Sequence, residues 1–354
     1  MRTNIVPVLS PYRDFRAKAE RMNSFPAFVE DAVVITKETD MEEEVNPHPN
    51  FIESNTSGIT LEELENGCIV PSFGDNQLTI SHQHFIHRIE DAARECFPLE
   101  RFGNTEIRVS HKILGRVPGA LNKRKEELLP EDETVYYQRM AFCFHIRSMG
   151  RMMNGQEVHL CIGGVRSLNE ENLYRGKSPE KFKIFIGWRV KVCSNLMLTC
   201  DGLVGRLEVM SEAEIQEAAL RLFMEFNPER NLEVLGNLRN TLISQEQFCQ
   251  IIGRLRLYQV LPPARLKELP KVILGDSNIN AATRGYIENP NFGLRGRENI
   301  SCWDLMQLLN EAAKQSYIDR FLERNLNTSR RWAHSEYCRL FRWYGGSISY
   351  QIFR

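Results

Sequence analysis

From Lys181 to Val192 cationic and apolar residues nearly alternate. Side chains of a strand point to opposite faces with a period of two. One face of this stretch carries Phe182, Ile184, Ile186, Trp188, Val190 and Val192, which reads as core. The other carries Lys181, Lys183, Phe185, Gly187, Arg189 and Lys191. Cations around an aromatic ring on a sheet are the side chains that follow a phosphate backbone and stack a base. An upstream stretch repeats the theme, with Met140, Phe142, Phe144 and Ile146 on one side and Tyr137, Arg139, His145 and Arg147 on the other. The candidate nucleic-acid contacts are therefore Lys181, Lys183, Phe185, Arg189, Lys191, Arg139 and Arg147. The competing reading is a solvated sheet face without a ligand.

Three further groups bear on chemistry. His84, His87 and Asp91 are spaced to share one helix face, next to His82, and a divalent metal accepts such ligands. No second Cys/His pair completes the set, so cap packing and a polar helix face compete with it, and no metal or cofactor is assigned. Gly163-Gly164 at a strand end would let a backbone approach a phosphate, but neither GxxxxGK[ST] nor GxGxxG is present, and a turn or bulge is the plainer reading. Cys193 in Val192-Cys193-Ser194-Asn195 needs a neighbouring cation or helix N-terminus to become reactive. Lys191 points to the opposite strand face. No GxSxG, HExxH or paired-carboxylate pattern occurs, so no catalytic residue is assigned.

The elements that position these residues predict an α+β fold, with a central antiparallel sheet over about residues 105–200 and a helical C-terminal half. Glu106 to Ile113 alternates, Val135 to Met149 reads as a long strand, and Glu157 to Val165 reads as its partner across Asn154-Gly155, a strong hairpin signal. Cys68 to Phe73 and Gln77 to Ile80 read as short strands around Gly74-Asp75-Asn76. Ser81, Ser211, Ser244 with Gln247, and Ser301 with Asp304 are helix-start signals. Trp303, Leu305, Leu308 and Leu309 share an apolar helix face, and Tyr317, Phe321 and Leu322 the next. Residues 1–58 read as a mostly disordered acidic arm, 59–205 as a strand-rich core and 206–354 as a helical region packed on or beside it.

Composition sets bounds on partners. The chain has 354 residues, 42% hydrophobic and 26% charged, with a formal net charge of −1. No global field draws it to nucleic acid or membrane, so a basic site must be local. Its nine cysteines include no CxxC pair and sit mostly in apolar runs, the pattern of buried thiols in a reducing cytoplasm. Met1 to Ser10 holds no apolar core of signal-peptide length, and no window approaches a membrane span.

Several local strings, in order, resemble those of one family. They are Thr79-Ile80-Ser81-His82-Gln83, Ile107-Arg108-Val109-Ser110-His111, Gly115-Arg116-Val117-Pro118, Ile162-Gly163-Gly164-Val165-Arg166, Asn172-Leu173-Tyr174, Lys181 to Gly187, Gly253-Arg254-Leu255-Arg256-Leu257-Tyr258 and Ser316-Tyr317-Ile318-Asp319. The family they resemble is domain of unknown function 3871, from about residue 50 onward. Val192 to Asn195 and the Arg-x-Ser-His string also resemble a wider phage and plasmid family, domain of unknown function 932. The resemblance implies a mobile-element setting, a plasmid or conjugative transposon, and supplies no activity or catalytic residues. The reading that follows is an accessory protein of the element that contacts single-stranded nucleic acid through the basic sheet face. Its rival is a protein-interaction or oligomerisation module, binding itself or another element-encoded protein through the helical half. A third class is an enzyme of unrecognised chemistry. An open basic sheet face separates the first from the second, which needs exposed apolar side chains on the C-terminal helices.

Overall fold

The computed structural model describes residues 49–70, 79–120, 122–171, 178–267, 269 and 271–333. They belong to one compact unit, Glu43–Arg354. Residues 1–48, the Gly74-Asp75-Asn76 turn and residues 334–354 lie outside the described residues.

The chain runs through β1 (Ser57–Ile59), α1 (Leu61–Gly67) and α2 (His82–Cys96). Strands follow: β2 (Glu106–Val109), β3 (Lys112–Arg116), β4 (Glu133–Tyr137), β5 (Arg139–Met153), β6 (Gln156–Ser167), β7 (Glu180–Val190), β8 (Leu196–Met197) and β9 (Leu203–Val209). The C-terminal half holds α3 (Glu212–Glu225), α4 (Pro228–Gly236), β10 (Leu242–Ser244), α5 (Gln245–Val260), α6 (Pro263–Leu266), α7 (Asp276–Glu288), β11 (Asn299–Ser301), α8 (Cys302–Ala313) and α9 (Ile318–Ala333). The fold is α+β, as the strand-then-helix order predicts.

The main sheet has the order β1-β2-β5-β6-β7-β8, with β9 also on β7, and every pairing is antiparallel. Asn154 (φ 52°) and Gly155 (φ 75°) close the β5–β6 hairpin with the two left-handed residues that a type I′ turn needs. Gly163 and Gly164 sit inside β6 rather than at its end. A Cβ on Gly163 would meet the Phe142 carbonyl oxygen at 2.1 Å and the Phe185 ring at 2.5 Å, and one on Gly164 would meet the Phe85 ring at 2.5 Å. The glycine pair therefore makes room for one aromatic ring on each face of the sheet.

Both faces are covered. On one, Phe85 of α2 packs on Phe142 (5.2 Å between centroids) and Phe182 (4.6 Å). On the other, Ala141, Cys143, Cys161, Val165, Phe185, Leu196 and Leu198 form a cluster with Ile318, Phe321 and Leu322 of α9 and with Phe51 and Ile52. A sheet covered on both faces reads as a continuous apolar run, and β7 buries nine of its eleven residues.

Several expected boundaries shift for this reason. The arm does not extend to residue 58, because Phe51 and Ile52 are buried and β1 pairs with β2. The alternation from Glu106 to Ile113 divides between β2 in the main sheet and β3, which pairs with β4 in a separate two-stranded sheet. The stretch from Val135 breaks at Gln138 into β4 and β5. Cys68–Val70 and Thr79–Ile80, the described ends of two expected strands, do not belong to a strand of any sheet among the described residues. β9 runs on to Val209, past the expected end of the strand-rich core at residue 205.

In the helical half, Ser244 and Ser301 each close a capping box, over α5 and α8. Ser211 precedes α3 without a side-chain cap bond, since its hydroxyl donates to Glu214 instead. The strands just before the two capped helices pair as a small ribbon, with Leu242 opposite Ser301 and Ser244 opposite Asn299. Phe248 of α5 stacks on Tyr286 of α7 at 3.9 Å. Trp303, Leu305, Leu308, Leu309, Phe321 and Leu322 are buried as expected, whereas Tyr317 is 58% exposed.

Candidate functional site

The cations predicted to line one open sheet face divide between two environments. Lys183 is 5% exposed, and its Nζ donates to Glu170 Oε1 (2.9 Å) and to the Asp319 carbonyl (2.8 Å), with Glu323 at 3.6 Å. Lys181 donates to the Glu170 carbonyl (2.7 Å). Arg139 pairs with Asp319 at 3.3 Å. Phe185 is fully buried. The expectation that Lys183 and Phe185 are open to a ligand is therefore corrected: α9 lies over them, apolar side chains down, and its Asp319 and Glu323 meet the cations.

Toward the other end of the same face the cover thins. Arg189 is mostly buried, its side chain 14% exposed, donates to Glu106 Oε2 and Ser194 Oγ (both 2.8 Å) and lies over the Phe51 ring at 5.8 Å. Lys191 is exposed and pairs with Glu157 at 3.1 Å, and Arg147 is exposed. Between them the His145 and His159 rings meet edge to face at 5.5 Å. Burial, then the charges of His159, Arg189, Arg147 and Lys191, lower the His145 pKa to about 4.

The remaining candidates take separate partners. His84 pairs with Glu212 (2.7 Å), His87 with Glu65 (2.8 Å) and Asp91 with Arg88 (3.3 Å), so the three do not converge. Among the described residues no group of three or more His, Cys, Asp or Glu side chains is arranged to hold a metal ion. His82 is fully buried with Nε2 2.9 Å from the Tyr137 carbonyl oxygen, and burial, with the nearby Arg166 charge, lowers its pKa to about 3. Cys193 is buried, which pushes its thiol up to about 12, far from a thiolate nucleophile.

A second surface, which the sequence reading passed over, lies at α5 and α6. Ile251 is the last buried residue of α5. From Ile252 to Ile273 no described residue is buried, although the stretch holds Ile252, Leu255, Leu257, Tyr258, Val260, Leu261, Leu266 and Leu269. Val260 is 77% exposed, Leu269 43% and Leu257 41%. Gly253 lies on the same helix face as Leu257 and Val260, four and seven residues on. Glycine inside a helix costs about 1 kcal/mol relative to alanine. A Cβ at Gly253 would meet nothing within 4 Å, so no contact within the described fold requires glycine there. The same stretch carries Arg254, Arg256, Arg265, Lys267 and Lys271 against one carboxylate residue, Glu268. Arg256 is engaged by Asp276 and Asn280 of α7. The signal was present in the sequence as apolar density without a one-sided helical period.

A family model described as "Domain of unknown function, B. Theta Gene description (DUF3871)" matches residues 28–333. No curated protein and no solved structure matches the chain.

Proposed function

The chain belongs to the DUF3871 family, and from that premise we propose that it is a protein-interaction module whose working surface is α5–α6. The observation that carries this reading is the run of large apolar residues from Ile252 to Ile273 with none buried. Three of them, Leu257, Val260 and Leu269, are exposed, and large apolar side chains grouped in water on a folded chain mark a binding face. A photo-crosslinking residue at Val260, introduced into the full chain expressed from its native locus, tests the reading. It should give one discrete protein adduct, and the same residue at Leu99, an exposed position on another part of the chain, should not. Equal labelling at both positions would refute it. The setting we propose with it is a mobile genetic element and the cytoplasm. All eight described cysteines are free thiols, the state a reducing compartment maintains. No helix among the described residues is long and apolar enough to cross a membrane.

A second reading rests on the exposed Arg147 and Lys191 beside the His145–His159 ring pair. In it, single-stranded nucleic acid lies across the thinly covered end of the sheet, with Arg147 and Lys191 on its phosphates and Arg189 behind them. Each neutralised phosphate on a single strand contributes about −0.7 to the slope of log affinity against log salt. Replacing Arg147 and Lys191 together by alanine should reduce the slope magnitude by about 1.4. Salt-independent binding, or none, would remove this reading.

A further inference from the structure

We infer that the occupant of the α5–α6 surface is an acidic segment with regularly spaced leucine-type residues, carried by a different protein. The inference rests on the reading of α5–α6 as a docking face and adds the chemistry of what docks. Three features support it. Leu257 and Val260 stand exposed on one helix face, so the occupant must offer apolar side chains at matching spacing. Gly253, on that same face, has open space where a side chain would be, and so lets a partner backbone or large side chain approach α5 closely. The stretch is positively charged, with five cations and one carboxylate residue from Ile252 to Ile273, and stays so with Arg256 matched by Asp276 of α7.

The charge also selects against the simplest alternative. In a two-fold pairing with a second copy the same patch would face itself, and its cations would oppose one another. Like charges brought together in a desolvated interface are unfavourable, whereas carboxylates opposite Lys267 and Lys271 would speed encounter and fix register. A nucleic acid would satisfy the cations but leave Leu257, Val260 and Leu269 facing a polar backbone.

Two synthetic helical peptides of about 18 residues test the inference, with identical leucine spacing and either glutamate or lysine elsewhere. Binding to the full chain is followed by fluorescence anisotropy at low and high salt, with single-stranded DNA as a third probe. The glutamate peptide should bind at least about tenfold more tightly than the lysine peptide and weaken at high salt. Gly253→Leu should abolish binding while the thermal midpoint holds or rises, and Lys267→Glu with Lys271→Glu should reverse the peptide preference. Equal binding of both peptides, binding of neither, or DNA binding that Gly253→Leu removes would each overturn the acidic-partner inference. The photo-crosslink at Val260 separates the two claims. If it still yields a discrete protein adduct, the docking face stands and only the partner's chemistry is wrong. If it yields none, both fall.

Discussion

The sheet face beneath α9 and the α5–α6 surface are built from the same kinds of side chain, lysine and arginine set among large apolar residues. Their fates are opposite. Under α9 the apolar members are fully buried and Lys183 and Arg139 meet carboxylates from the covering helix. On α5–α6 none of the apolar members is buried. The difference lies in what covers each region, which a local pattern does not encode. A basic, apolar alternation is therefore not a nucleic-acid signature until its cover is known.

Four perturbations sharpen or break this contrast. Phe185→Ala should have the largest effect, a loss of about 3–5 kcal/mol in a denaturant titration, because the ring fills the centre of the sheet–α9 cluster. A loss near zero would mean that Phe185 faces water after all. Lys183→Ala should cost about 1–3 kcal/mol by leaving the Asp319 carbonyl and Glu170 without their donor. Little change there would show that α9 is held by apolar contacts alone.

Acidification comes third. His145 and His82 have folded pKa values of about 4 and about 3, below the ordinary 6.5. The unfolded chain therefore binds more protons than the folded one once the pH drops below about 6.5. The stability these histidines hold above that pH is lost progressively as pH falls toward their folded values, so the thermal midpoint should decline across that range. His145→Gln should flatten the upper part of the decline, and an unchanged profile would place His145 in solvent.

The smallest effects belong to α5. Leu257→Ser with Val260→Ser should leave the unfolding free energy within about 0.5 kcal/mol of the parent. Gly253→Ala should raise it by about 0.5–1 kcal/mol by reducing the freedom of the unfolded chain. A large destabilisation by the serine pair would make these residues part of the core and remove the contrast.

Much of the fold was legible because it is set locally. Asn154-Gly155 fixes a turn by its own backbone preference, and Ser81, Ser244 and Ser301 cap helices by bonding amides three residues on. The candidate site was less legible. Period two correctly put Lys183 and Phe185 on one face, but the helix that covers them begins more than a hundred residues later, at Ile318. The glycine pair in β6 shows the same limit. Its sequence suggested a turn or bulge at a strand end, and the rings of Phe85 and Phe185, brought in from elsewhere, explain it. The α5–α6 surface escaped notice because a helix with apolar residues all round is ordinarily a buried one.

The ribbon formed by β10 and β11 has a mechanical consequence. It anchors α5 at one end, helped by the Phe248–Tyr286 stack, and the helix then extends to Val260 with nothing buried beyond Ile251. The outer half of α5 is braced by polar bonds, with Arg256 reaching Asp276 and Asn280 of α7 and the Gln259 amide donating to the Leu274 carbonyl (3.2 Å). A load on α5 therefore passes to α7 through these bonds and to the ribbon at its root, where Ser301 opens α8. The far end of α8 leads into Lys314, whose ammonium holds the Cys193 carbonyl just before β8. α5 and the main sheet are thus connected through α8.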